Sequence, residues 1–377
     1  MTEVAITGVG LHAFGRFETH SITDLGAQAV DAALREARVV DRRGIQATFC
    51  GTAYGGVAAA HKVLGRLSMT GGPIVDVEAG CASGAAALML GAGAIRAGQY
   101  DTVLVFGIEK MPKGIIRSSF FEPWREQAGL AATPAYFALR SQRLLRESGL
   151  TKDDLATVVV KNRRHGVHNP DAMFRKAVTA DEVLASRVVC EPLHLWMLCS
   201  PNEGAAAVVL RAQPGSDAVI VRSTVLRSHL PGNVLDESTP LSGLVDDRIP
   251  SASTRAADAA YEQAGIGPDE LDLVECQDTD AARELLAYEE LRLCERGDAG
   301  KLLADGSTAL GGRLPVNVSG GLLSKGEPLG ASALGQVVEL TRQLRGQAGP
   351  RQVHNARVGL AHTVGRGANA SVTILST

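Results

Sequence analysis

Gly72-Pro73-Ile74-Val75-Asp76-Val77-Glu78-Ala79-Gly80-Cys81-Ala82-Ser83-Gly84, continuing as an Ala/Leu/Met/Gly run to Ala97, is the stretch that decides the fold. Pro73–Val77 has the composition of a strand. Residues 82–97 combine good helix formers with small side chains, which predicts a tightly packed buried helix. Cys81 then falls on a strand-to-helix turn beside a helix N-terminus. Unpaired N–H groups and the helix dipole there favour an anion and lower a thiol pKa. Gly80 and Gly84 permit close backbone approach. The expected geometry is a nucleophile elbow carrying sulfur in place of oxygen. The competing reading is a small buried core thiol, the usual fate of a free cysteine.

The rest of the chain bounds the setting. Its 377 residues exceed one ordinary core, which points to two domains or to one domain of two similar halves. A net charge of −3 favours neither nucleic acid nor an anionic membrane as partner. Aromatics are only 4% against 42 glycines, so the interior is built from small aliphatic residues that suit closely stacked helices and sheets. Six cysteines lie scattered without CxxC or zinc-ribbon spacing. Reduced thiols, a cytoplasmic setting and no metal in this chain are the expectation. The start MTEVAITGVG reads as a strand and turn rather than a signal peptide, and no apolar run approaches membrane-span length.

Strand patterns recur at 4–10, 102–107, 205–210, 218–221 and 271–276, with a closing hairpin at 358–362 and 370–375. Helical patterns recur at 23–37, 253–265, 280–293 and 331–345. Between them Pro112–Arg187 is richer in charge and aromatics, with Phe120, Phe121, Trp124 and the cluster Lys161-Asn162-Arg163-Arg164-His165. It reads as a cap or loop domain laid over the first half. The loosely parallel order of elements on either side predicts a duplicated α/β unit.

Four segments carry a family resemblance. GCASGAAALMLGAGAIRAGQYDTVLVFGIEKM (80–111), LCSPNEGAAAVVL (198–210), NVSGGLLSKGEPLGA (317–331) and LAHTVGRGANA (360–370) resemble, in order, motifs of the thiolase superfamily, with the sterol-carrier-type branch nearest. The resemblance implies a five-layered αβαβα thiolase fold of two duplicated halves plus a cap/loop domain. It divides the chain into an N-terminal half (1–111 and 188–235), the cap (112–187) and a C-terminal half (236–377). It also implies homodimers through the nucleophile-bearing sheets, and acyl transfer from coenzyme A thioesters through a Cys81 thioester.

The chain departs from the pattern where chemistry occurs. Glu327 stands where thiolases carry the GHP histidine that activates the nucleophile. Gln277-Asp278-Thr279-Asp280 stands where the sterol-carrier branch has HDCF, so its histidine and second acid/base cysteine are missing. A carboxylate is a poor base for a thiol: reference pKa values differ by about 4 units, roughly 5–6 kcal/mol. Burial that raises Glu327, or approach of His362, would supply the base. Gln277 offers an amide donor in place of the enolate-binding histidine, against the blander reading of a polar strand end near the surface. The backbone N–H of Cys81 and those around Gly365 and Gly367 are the expected oxyanion donors. Ser319 and Gly320 belong to the substrate-binding SGG motif. Arg163 and Arg164 are candidates for coenzyme A phosphates or a partner subunit, against the blander reading of a solvated charged loop. Asp280 either faces the pocket or caps the following helix, the cap being the commoner role, and Cys199 reads as packing. Thiolase-like chains with this altered pattern resemble those that work beside a small zinc-ribbon/OB-fold partner subunit.

These readings converge on a thiolase-type acyltransferase that cleaves or makes a C–C bond of a bulky β-ketoacyl-CoA through Cys81. The rivals are a retro-aldolase acting on a β-hydroxyacyl-CoA and a non-catalytic acyl-CoA-binding subunit.

Overall fold

The computed structural model describes residues 2–114, 123–128, 133–213, 215, 218–231, 248–365 and 369–377. Phe120, Phe121, the boundary at 236 and Gly367 lie outside them. The first half runs β1 (Ala5–Gly15), α1 (Ile22–Glu36), β2 (Ala47–Gly51), α2 (Ala59–Arg66), β3 (Ile74–Val77), α3 (Ser83–Arg96) and β4 (Thr102–Lys110). Helices α4 (Pro123–Gln127), α5 (Thr133–Ser148), α6 (Lys152–Val167) and α7 (Ala180–Ala185) follow, then the short pair β5 (Val188–Cys190) and β6 (Leu193–His194). Next come β7 (Glu203–Arg211), β8 (Val219–Ser228), α8 (Ala252–Ala264), β9 (Leu273–Cys276), α9 (Ala281–Glu290) and α10 (Ala299–Ala304). The chain closes with α11 (Gly321–Lys325), α12 (Leu329–Leu344), β10 (Val358–Gly365) and β11 (Asn369–Ser376).

Strand pairing shows the duplication that sequence identity hides. β2 pairs β4 in parallel, and β4–β7 and β7–β1 are antiparallel. In the second half β9 pairs β10 in parallel, and β10–β11 and β11–β8 are antiparallel. The same three relations recur in the same chain order. Even β3, beside β2, has a counterpart: Val316 bridges Val274 in parallel. The halves join where Ala5 and Ile6 of β1 meet Ile220 and Val219 of β8, giving one sheet in the order β3-β2-β4-β7-β1-β8-β11-β10-β9.

Helices complete the layers. α1 and α2 cover the outer face of the first half-sheet, with Leu25, Ala29, Val30, Ala33, Val63 and Leu64 buried there. Ser21 caps α1 through a reciprocal box with Asp24. α3 and α12 lie between the half-sheets, α3 touching β2, β4, β8 and β11, and α12 touching β4, β7, β10 and β11. α8 covers the far face of the second half-sheet. The result is the five-layered α/β arrangement expected.

The segment between the halves corrects two expectations. Its helices pack on the second half rather than over the first: α5 meets α9, and α6 meets α9, α10 and α11, sharing one apolar core with Leu285, Tyr288 and Leu291. The basic cluster is not a solvated loop but part of α6, and only Arg164 of its charged residues is exposed. Lys161 pairs with Glu284 at 2.6 Å, and Asn162 Nδ2 donates to Glu284 at 2.6 Å and to Asp278 at 2.8 Å. Arg163 lies 4.2 Å over the Phe174 ring; burial pulls its guanidinium down to about 10. Of the two arginines, Arg163 is buried and Arg164 exposed.

His165 crosslinks the cap to the second half. Its Nδ1 donates to Asn317 O at 2.9 Å while Nε2 accepts from Leu310 N–H at 3.0 Å, which fixes the neutral tautomer. Burial and then the Lys161 charge lower its pKa to about 4. The unfolded chain binds this proton near 6.5, the folded chain only near 4. Stability from this residue is therefore full above pH 6.5 and lost as pH falls toward 4, on the order of 3 kcal/mol in total. Denaturant titrations between pH 7.5 and 4.5 are expected to show a shallower loss of stability in His165→Asn than in wild type. Equal slopes would contradict the assignment.

Candidate active site

The turn after β3 holds Cys81 as predicted. Gly80 takes φ +60°, and Cys81 sits in a single 3-10 turn, Gly80–Ala82, that runs into α3. Ser83 fixes the turn: its Oγ accepts from Ala79 N–H at 2.9 Å and donates to Gly80 O at 2.6 Å. Cys81 is 8% exposed and packs against Ala53, Met111 and Leu329.

Glu109, fully buried at the end of β4, ties three strands of chain together around that pocket. Its carboxylate accepts from Ala53 N–H (2.9 Å), Tyr54 N–H (3.0 Å) and Gly330 N–H (3.0 Å). It thereby joins the loop after β2 to the first turn of α12. Burial raises its pKa and the backbone donors oppose that rise.

The α12 turn brings Glu327 inward. Glu327 is 5% exposed, not a solvated loop carboxylate. Its N–H donates to Ser200 O at 2.9 Å and its O accepts from Asn202 N–H at 3.3 Å, a bridge to the segment before β7. Both carboxylate oxygens are held. Oε1 accepts from Gln277 Nε2 at 2.9 Å, and Oε2 accepts from the Cys199 thiol at 3.2 Å. Gln277 in turn accepts Val364 N–H at 2.5 Å through its Oε1. One Gln277 N–H is thus directed at Glu327.

Cys199 is the residue that sequence reading assigned to packing. Its N–H donates to Thr279 O at 2.8 Å, and Leu198 bridges Asp280, so it is stapled to the 277–280 loop. Burial, and after it the Glu327 carboxylate, push its thiol well above the usual value, and Cys81 adds to the push. No local spacing links positions 199 and 327; the bridge of Pro201 to Glu327 and the bonds of Ser200 and Asn202 to Glu327 bring them together.

His362 does not join this group. On β10 the residues 360, 362 and 364 share a face, and Leu360 and Val364 belong to the outer core with Cys276. The ring meets Ser253 of α8 at 2.8 Å, and burial and then Arg283 hold its pKa well below the usual value. The alternate residues turn inward: Thr363 Oγ1 donates to Gln336 of α12 at 2.8 Å, and Gly365 lies against the Cys81 turn. A Cβ on Gly365 would come 2.0 Å from Ala79 O, so only glycine fits there.

The SGG motif is structural rather than substrate-facing. Ser319 is fully buried and directs its N–H (2.9 Å) and hydroxyl (2.5 Å) to Glu275. Gly320 takes φ +95° against the Gly166 backbone. Asp278 accepts Leu322 N–H at 2.6 Å and Leu323 N–H at 3.2 Å, pinning α11 to the loop that carries Gln277. Asp280 caps α9, accepting Arg283 N–H at 3.0 Å. Among the described residues no group of three or more His, Cys, Asp or Glu side chains is arranged to hold a metal, and no helix is long and apolar enough to cross a membrane.

Comparison with known proteins shows the family. Residues 3–213 match the thiolase N-terminal domain and 242–377 the thiolase C-terminal domain-like family. The chain is 34% identical to an acetyl-CoA acetyltransferase of Methanothermobacter thermautotrophicus, covering 100% of both chains. It is 33% identical to the benzoylsuccinyl-CoA thiolase subunit BbsB of Thauera aromatica, covering 98% of this chain and 97% of that one. Identity to rabbit (Oryctolagus cuniculus) sterol carrier protein 2 is 32%, over 99% of this chain and 72% of that protein. A solved Ltp2-ChsH2(DUF35) aldolase superposes with a TM-score of 0.87 at 24% identity, covering 100% of this chain and 98% of that one. The chain belongs to the thiolase family and is an acyl-CoA acyltransferase.

The Glu109 hub yields a stability test. Glu109→Ala leaves the N–H groups of Ala53, Tyr54 and Gly330 buried without that acceptor, at about 1–3 kcal/mol each when nothing replaces it. Denaturant unfolding is expected to show a loss of at least about 3 kcal/mol. A loss under about 1 kcal/mol would show that water or a neighbour takes over the role.

Proposed function

We propose that Cys81 accepts the acyl group of a coenzyme A thioester and that the enzyme breaks, by thiolysis, the C–C bond of a bulky β-ketoacyl-CoA. The carrying observation is the convergence on one turn: Cys81 at the start of α3, with Gly365 against the same turn and Glu327 delivered from the start of α12. Backbone N–H groups of Cys81 and the Gly365–Gly367 loop serve the oxyanion, a role that no side-chain replacement removes. The remaining Gln277 N–H serves the enolate oxygen. Coenzyme A enters as substrate and leaves as product, its phosphates directed to Arg164.

The partners follow from two supports. BbsB is named a subunit, and the aldolase of like fold is named together with a DUF35 protein. A small zinc-ribbon/OB-fold partner, which would carry its own metal, fits both. A homodimer fits β3, which is the edge strand of the sheet with Val75 41% exposed, and Leu90 of α3, also 41% exposed. An apolar, unpaired edge favours pairing with a second copy.

Intact-protein mass spectrometry tests the chemistry, with acetyl-, propionyl-, benzoyl- and phenylacetyl-CoA and the corresponding β-ketoacyl-CoA thioesters as probes. An acyl adduct is expected in wild type and absent in Cys81→Ala, and its mass names the acyl class. Turnover to a ketone or aldehyde with no adduct would transfer the reading to a retro-aldolase; tight binding with neither would leave an acyl-CoA-binding subunit. The dimer is tested separately: Val75→Lys is expected to halve the sedimentation mass, and an unchanged dimer mass would place the interface elsewhere.

A further inference from the structure

Cleavage of a β-ketoacyl-CoA demands a second proton transfer that Cys81 cannot perform. Once the C–C bond breaks, the departing α-carbon carries the electron pair as an enolate and must gain a proton. The thiol of coenzyme A must then lose one before its sulfur attacks the acyl-enzyme. The segments that supply this function in the resembled family read Gln277-Asp278-Thr279-Asp280 and His362-Thr363-Val364 here, without a cysteine. His362 faces α8 instead.

Another sulfur occupies the site. Cys199 donates to Glu327 Oε2 at 3.2 Å, and Glu327 is held from its other oxygen by Gln277 at 2.9 Å. Of these three residues, Gln277 and Glu327 are buried and Cys199 is half-buried. Its backbone is fixed from both sides. Cys199 N–H is bound to Thr279 O, and the adjacent Ser200 O accepts Glu327 N–H. A cysteine held for packing alone needs neither staple nor carboxylate partner.

We propose that Cys199 is the second acid/base of the reaction, with Glu327 as its positioning residue. This rests on the acyl-enzyme reading above. The steps balance. The Cys81 thiolate adds to the β-carbonyl carbon, and the C–C bond breaks with its electrons moving to the α-carbon. Cys199 S–H protonates that carbon and becomes a thiolate, releasing one acyl-CoA. The Cys199 thiolate takes the proton of incoming coenzyme A, whose sulfur attacks the Cys81 thioester. The second acyl-CoA leaves, and Cys81 returns as thiolate with Cys199 protonated. Glu327 accepts the Cys199 S–H hydrogen bond and so holds that proton in place between turnovers, consistent with the direction in which it moves that thiol.

The test separates this proposal from the acyl-enzyme itself. Wild type, Cys81→Ala, Cys199→Ser and Cys199→Ala are compared with the thioester that gives the strongest Cys81 adduct, or with acetyl-CoA if none does. Two readouts are used: adduct formation by mass spectrometry, and exchange of α-hydrogens of acetyl- and propionyl-CoA with D2O by NMR. Cys199→Ser keeps the hydrogen bond to Glu327 and the fold, yet a hydroxyl is too weak an acid to replace the thiol. Adduct formation within threefold of wild type, with α-exchange and thiolysis down by 10²–10⁴-fold, is expected. Exchange or thiolysis within tenfold of wild type in Cys199→Ser would overturn the proposal. Failure of wild type to form any adduct would instead overturn the acyl-enzyme reading and take this proposal with it. A substrate-free measurement checks the pairing: alkylation of Cys199 by iodoacetamide at pH 8, followed by peptide mapping, is expected to speed up at least tenfold in Glu327→Gln. An unchanged rate would remove Glu327 from the positioning role.

Discussion

The start of α12 meets the start of α3 and the strand ends backbone to backbone, with no side chain in the way. Gly330 O stands 2.2 Å from where a Cβ on Gly107 would lie and 2.9 Å from where one on Gly84 would lie. A Cβ on Gly330 would itself meet Gly51 O and Ile108 O, each at 2.6 Å. The first turns of α3 and α12 and the ends of β2 and β4 therefore meet at glycines. No other residue allows this contact, because real Cβ atoms do not come so close to backbone oxygen. The site depends on it. α12 begins two residues after Glu327, so the depth to which Gly330 sinks sets how near that carboxylate comes to the Cys81 turn.

Buried polar groups then lock what the glycines allow. Glu109 satisfies N–H groups from two chain segments at the α12 start, Asp278 does so for α11, and Ser83 does so within the Cys81 turn. Each lies where irregular backbone would otherwise leave donors buried and unpaired. The Lys161–Glu284 pair plays the same part for the cap: burial opposes the Glu284 charge, but Lys161 and the hydroxyl of Tyr288 keep that carboxyl low. A thiolase-like site assembled from loops is thus rigid because its backbone donors end on a few carboxylates fixed by regular elements.

This division also explains what could be read in advance. The duplicated α/β architecture was legible because strands and helices announce themselves by local pattern, and Cys81, Glu327 and Gln277 by their places in motifs. His362 misled because β10 is buried on both faces: Leu360 and Val364 on one side and Ala361 on the other give no polarity to say which face sees the nucleophile. Arg163 and Lys161 looked solvated because their partners, Phe174 packed over one and Glu284 under the other, are tertiary. Cys199 was invisible for the same reason, since a contact across 128 residues leaves no spacing to find.

Replacing an imidazole by a carboxylate changes more than a base. A histidine beside the nucleophile alternates between neutral and cationic, so it offsets the anion that forms during acyl transfer. A carboxylate next to the same position repels that anion instead. Here each Glu327 oxygen meets a donor, an amide N–H on one side and a thiol on the other, which draws the charge away into two hydrogen bonds. The cost is that Glu327 has both oxygens directed away from the role of a free base. Of its two donors among the described residues, the Gln277 amide N–H cannot ionise, whereas the Cys199 thiol is an acid, made weaker than usual by burial and by this carboxylate. On the proposed assignment, charge neutralisation and proton transfer, joined in one imidazole, are divided between two side chains.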